Sequence, residues 1–81
     1  MAKYIIFDGG RRAIVFPSIL NHSDMGKELW GITSAGECEI HEREGVLITR
    51  LGSYTLGIEA KQCDPNKDRE AIKASLYYKE D

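Results

Sequence analysis

The 81-residue chain has only two cysteines, Cys38 and Cys63. That is too few for a disulfide scaffold, so a reducing, cytoplasmic compartment is the simplest expectation. No apolar run approaches the ~18 residues needed to cross a bilayer, so no membrane partner is expected. Charge of one sign is lacking too: 11 basic residues stand against 13 acidic ones, a net of −2. Without a basic field, nucleic acid is not the expected partner. There is no G-x-G-x-x-G and no Walker pattern. Internal repeats and low-complexity segments are absent. Met1-Ala2-Lys3 runs straight into strand-like residues, unlike a signal peptide. The length leaves room for a single domain, residues 1–81. A chain of this size hides only roughly 60–65% of its unfolded surface, enough for one core but not for a deep, dry active site. A non-enzymatic binding or assembly module without a cofactor is therefore expected.

Among the residues that are present, 42% are hydrophobic and 30% charged, as in a folded domain. Tyr4–Phe7 and Ala13–Phe16 are β-branched and aromatic runs joined by Asp8-Gly9-Gly10-Arg11. Two glycines provide the positive φ of a tight hairpin turn. The implied register sets Ile6 opposite Ala13, Ile5 opposite Ile14 and Tyr4 opposite Val15. One face then carries Ile5, Phe7, Ile14 and Phe16, and the other Tyr4, Ile6, Ala13 and Val15. Both are apolar, so something must cover the second face: a helix or another copy of the chain. Tyr4, Ile6 and Val15 are the candidate interface of a homo-oligomer.

Pro17 ends the second strand because it cannot donate to a ladder. Asn21 can cap a short helix over His22-Ser23-Asp24, which Gly26 limits. Leu29–Thr33 reads as a strand and Ser34-Ala35-Gly36 as a break. Glu37–Arg43 alternates, with Cys38 and Ile40 on one face and Glu37, Glu39 and His41 on the other. A turn at Glu44-Gly45 pairs Glu39 with Arg50 and puts Leu47, Thr49 and Leu51 beside Cys38. A second turn at Gly52-Ser53 sets Leu51 opposite Tyr54, Thr49 opposite Leu56 and Leu47 opposite Ile58, completing a three-stranded meander. Asp64 then caps a helix with Pro65 at its first position. Asp68 and Glu70 lie near the positive helix end and Lys79 at the negative end. Ile72, Ser75 and Leu76 form a narrow apolar stripe, with Ala71 beside it. Tyr77, Tyr78 and the charged end are expected to fray.

The pattern predicts an α+β domain. Its small antiparallel sheet has five to six strands, an N-terminal hairpin plus the meander, with one short helix and a C-terminal helix. A small half-barrel is the alternative.

Few residues suggest chemistry. His22, Cys38, His41 and Cys63 have zinc-ligand atoms, but Cys38 and His41, three apart on a strand, face opposite sides. Buried thiol and surface imidazole are the simpler readings, so no metal site is assigned. The cysteine–histidine combinations match no nucleophile signature, and no catalytic residue is assigned. Glu37, Glu39, Glu42 and Glu44 read as a solvated face. Gly9-Gly10-Arg11-Arg12 suits a hairpin turn better than an anion cradle. With Arg11 expected to pair with Asp8, Arg12 is the freer cation. Trp30 is expected to anchor the core, or to be a binding hot spot if exposed. Arg12, His22 and Trp30 are the candidate partner contacts.

Several segments together carry a resemblance. They are Phe16-Pro17, His22-Ser23-Asp24-Met25, Ser34-Ala35-Gly36, Gly52–Gly57 and Asp64-Pro65 with Asp68. In these the chain resembles small proteins of unknown function encoded by tailed phages and prophages. Glu37 departs from that pattern, which leads to an aromatic there. The resemblance implies a bacterial host cytoplasm and no catalytic residues. A role as an anti-defence factor follows as one option, binding a host protein or sequestering a small anionic ligand. A minor virion or assembly component is another.

Overall fold

The computed structural model describes residues 1–76. Tyr77, Tyr78 and Lys79–Asp81, read above as the end of the last helix, lie outside the described residues. The first β-branched runs form β1 (Ala2–Phe7) and β2 (Arg12–Pro17). Their register sets Tyr4 opposite Val15, Ile5 opposite Ile14 and Ile6 opposite Ala13, as the turn glycines require. Gly9 and Gly10 have φ of +65° and +98°, and the Arg11 N–H donates to the Asp8 carbonyl.

A short helix, α1 (His22–Gly26), follows the Pro17 turn. Asn21 sits at its cap position, but its side chain makes no capping hydrogen bond. Leu29–Thr33 is not a strand. Its backbone groups serve β1 and the hairpin turn: Asp8 N–H donates to the Trp30 carbonyl, Gly9 N–H to Gly31 and Thr33 N–H to the Ile6 carbonyl. Ser34-Ala35-Gly36 is no break either. It opens β3 (Ser34–His41), which pairs antiparallel with β1. Gly36 is there for close approach. A Cβ at Gly36 would lie 2.2 Å from the Arg50 carbonyl oxygen and 2.9 Å from the Tyr4 hydroxyl.

β4 (Gly45–Leu51) completes one antiparallel sheet in the order β2-β1-β3-β4. The expected β3–β4 register is three residues out from Cys38 onward and two at Glu37. Glu39 meets Leu47, and Arg50 meets Glu37. The loop is Glu42–Glu44 rather than Glu44-Gly45. Val46 and Ile48 therefore share the face of Cys38, while Leu47 is 52% exposed. The third meander strand is not formed. Ser53 and Ile58 make a single bridge that closes a tight loop over Tyr54–Gly57. The described residues thus hold four strands, not five or six.

α2 (Pro65–Leu76) starts as the sequence predicts. Asp64 Oδ1 accepts the N–H groups of Asn66 at 3.0 Å and Lys67 at 3.2 Å. The helix lays Ala71 and Ile72 across the sheet onto Tyr4, Ile6, Ala13, Cys38 and Val46. On the other face, Ile5, Phe7, Phe16 and Ala35 are covered by Met25, Leu29, Ile32, Leu56 and Ile58. Both faces of the first hairpin are covered within the chain. This corrects the expected oligomer surface: Tyr4 is 0% and Ile6 2% exposed, and Val15 is half-buried beside them. The helix, one of the two covers considered, takes the place assigned to a second copy.

Candidate functional site

Cross-strand neighbours on one sheet face fall in rows. The row Phe16–Lys3–Glu37–Arg50 runs across all four strands. Lys3 and Arg50 flank Glu37, and Arg50 Nη1 lies 3.6 Å from Glu37 Oε2. A bulge makes this row possible. Glu37 pairs with Arg50 while Cys38 pairs with Ile48, so Thr49 is an extra residue in β4. In a regular strand, residues 48 and 50 would share a face. The bulge turns Ile48 toward α2 and Arg50 toward Glu37, a local re-aiming typical of such irregularities.

Two loops wall the row into an open groove of about 710 Å³. On one side are Asn21 and His22, at the end of the turn whose Leu20 carbonyl accepts Lys3 Nζ at 2.9 Å. On the other is the Gly52–Ala60 segment, whose Ser53–Ile58 bonds fix the loop that carries Tyr54. Tyr54 is 98% exposed. His22 borders the groove from below. It is buried against Phe16, ring to ring at 5.5 Å, and its Nε2 lies 2.9 Å from the Gly36 carbonyl oxygen. A carbonyl only accepts, so Nε2 carries the proton.

A second open groove, of about 780 Å³, lies on the opposite side, between the β1–β2 turn and the first turns of α2. Its floor includes Asp68, which is 3% exposed. Asp68 Oδ2 accepts the Tyr4 hydroxyl at 2.6 Å and the Ser34 hydroxyl at 2.5 Å. Burial and the neighbouring Asp68 push the Tyr4 phenol well above its ordinary range.

No family model, curated protein or solved structure matches the chain. The site therefore rests on its geometry. The structure does not bring the candidate contacts together. His22 lines the first groove. Arg12 stands at the hairpin turn, where it pairs with Asp8 at 3.6 Å, the partner expected for Arg11. Trp30 is not a core anchor: it is 56% exposed, edge-on to Phe7 at 5.3 Å, and its Nε1–H donates to Asp8 Oδ1. Its single neighbour ring and its bond to a surface carboxylate hold it at the periphery.

The other reactive groups are dispersed. Cys38 is fully buried, and burial pushes its thiol up to about 11. Cys63 is half-buried, and both cysteines are unbridged. His41 stands on the opposite face of β3 from Cys38, near Glu39 and Glu44. Among the described residues, no three His, Cys, Asp or Glu side chains are placed to hold a metal ion. None of the described helices is long and apolar enough to cross a membrane. Lys3, Arg50, Tyr54 and Asp68 were not singled out as site residues by the sequence. Arg50 came nearest, as a cross-strand partner of a glutamate.

Proposed function

We propose that the protein is a non-enzymatic interaction module that binds a partner protein through the groove over Lys3, Glu37 and Arg50. The observation that carries this reading is Tyr54, which stands almost wholly in solvent on a loop tied at its base. A pre-positioned aromatic beside an arginine is the usual make-up of a binding hot spot. Ile19, 88% exposed, and Leu20, 41% exposed, stand in the turn just before Asn21 and His22, which line the groove. The groove carries both signs: Lys3 and Arg50 stand with Glu37 and Glu59. That balance suits the donors and acceptors of a polypeptide better than a small anion.

A phage gene product acting in a bacterial host cytoplasm is the context of the proposal, supported by the sequence segments and the two unbridged thiols. An anti-defence role would place a host protein in the groove, a virion role a particle protein, and homo-oligomerisation a second copy. The test places a photo-crosslinking amino acid at position 54 and irradiates the protein in lysate of such a host. One discrete adduct is expected, and Arg50→Glu should abolish it. If the adduct is a pair of these chains and light scattering gives twice the monomer mass, the partner is a second copy. A smear of adducts, or one indifferent to Arg50→Glu, overturns the reading.

A further inference from the structure

The two edges of the sheet are finished differently. β2 is one edge and β4 the other. In an antiparallel ladder, alternate residues turn their N–H and C=O away from the neighbouring strand. On β2 those residues are Ala13, Val15 and Pro17, because the Ala13 N–H points off the sheet to Ser75 Oγ at 3.0 Å. Pro17 has no N–H, and its carbonyl accepts the Leu20 N–H. Of the three, only Val15 keeps both groups open among the described residues.

β4 has no such finish. The Gly52 N–H donates to the Ala35 carbonyl, so Ala35, Glu37, Glu39 and His41 aim their backbone groups at β4. Their partners Arg50, Leu47 and Gly45 are the bonded ones, and Val46 and Ile48 turn theirs outward. Among the described residues, no turn, loop or cap bond reaches Val46 or Ile48. Ser75 is the one described side chain that hydrogen-bonds the backbone of an edge strand, and it serves β2. Beside the open edge stands Leu47, 52% exposed. No proline or lysine from Gly45 to Leu51 deters a partner strand.

We infer that β4 pairs antiparallel with β4 of a second copy, across a two-fold axis at Leu47. Setting Val46 against Ile48 of the other copy is the register that engages the N–H and C=O groups of both residues. It lays Leu47 against its own copy and covers both exposed side chains at once. It also brings Glu44 toward Arg50 of the other copy at each end, opposite charges whose side chains are 80% and 74% exposed. The pairing ends itself. The joined sheet has β2 at both margins, the edges that Ser75 and Pro17 close. A second copy therefore gives a closed pair and not a growing ladder. The bulge at Thr49 keeps the regular run short, so the interface is small and the dimer weak. The inference stands apart from the partner groove, which Leu47 does not line.

Sedimentation of the pure protein across the micromolar to millimolar range should show one transition, from 9.1 kDa to twice that mass. Leu47→Lys sets like charges together on the axis and should weaken the dimer at least about tenfold. The position is exposed, so the fold is kept. Leu47→Cys tests the register. Facing residues without mutual hydrogen bonds lie about 4.5 Å apart at Cα, within disulfide reach. Under mild oxidation Leu47→Cys should give a covalent dimer. Thr49→Cys, which comes opposite Gly45, should not, and neither should the unsubstituted chain. A protein that stays monomeric throughout overturns the pairing, as it would if the edge served a strand of a different protein. A dimer indifferent to Leu47→Lys uses another surface, and one linked as readily through Thr49→Cys uses another register; either overturns it too. The groove reading is judged separately, because Leu47→Lys leaves the adduct formed from position 54 in place if that reading holds.

Discussion

Gly36 has no room for a side chain, because a Cβ there would run into the Arg50 carbonyl and the Tyr4 ring. Gly36→Ala must push a backbone carbonyl away, and backbone cannot yield as a side-chain tip does. Its expected cost is about 3 kcal/mol or more, at the upper end for overpacking in a core. An unchanged urea midpoint would show that β3 and β4 are not held this close. Cys38 adds a dependence on pH. Its thiol ionises near 9.0 when exposed and near 11 when folded. Above about pH 9 the unfolded chain loses a proton that the folded chain keeps. The stabilisation is complete below that pH and is lost as pH rises toward 11. Tyr4, also pushed up, acts in the same direction above pH 10.0. Urea midpoints measured from pH 8 upward should fall, and less steeply for Cys38→Ala. Equal slopes in the two proteins would assign the fall elsewhere.

The strands show where the sequence is legible and where it is not. The β1–β2 register follows from Gly9-Gly10, because a turn of fixed length pins both strands. The start of α2 follows from Asp64-Pro65, because capping is local. β4 is different. Val46-Leu47-Ile48 is apolar throughout, so either face of the strand could be the inner one. What decides is α2, which needs Val46 and Ile48 against it. Alternation resumes only across the bulge, and an extra residue leaves no mark in local sequence. The contact residues were hidden for the same reason. Tyr4 and Asp68 are 64 residues apart and Ser34 and Asp68 are 34 apart, and only the fold joins them. Asp68 read as a helix-end charge, and its burial was not visible. Deleting Thr49 tests the role of the bulge directly. With the ladder made regular, Arg50 and Ile48 cannot both keep their faces. The deletion is expected to lose either the Glu37–Arg50 pair or the Ile48 packing, and about 2–4 kcal/mol with it. A deletion variant with native stability and an intact groove would mean the bulge is incidental.

At the scale of the whole molecule, one sheet carries two separate apolar clusters, one on each face. A small chain achieves this with one long helix on one side and the short α1 with irregular segments on the other. The cluster under α2 depends on few residues, with Ile72 fully buried at its centre. Ile72→Ala is expected to cost about 2–5 kcal/mol, a large part of the stability of so small a domain. Leu76→Ala, at an exposed position of the same helix, should cost well under half of that. Circular dichroism during thermal unfolding separates the two. Similar losses would place the helix differently on the sheet.

The order of synthesis gives α2 a further significance. It leaves the ribosome after every strand it covers, because it follows them in the chain. At about 5–20 residues per second, the roughly 25 residues between the end of β4 and the end of α2 take on the order of one to five seconds to make. For that interval Tyr4, Ile6, Val15 and Val46 form an open apolar face. Until α2 is made, that apolar surface, hidden in the folded molecule, has nothing in its own chain to cover it.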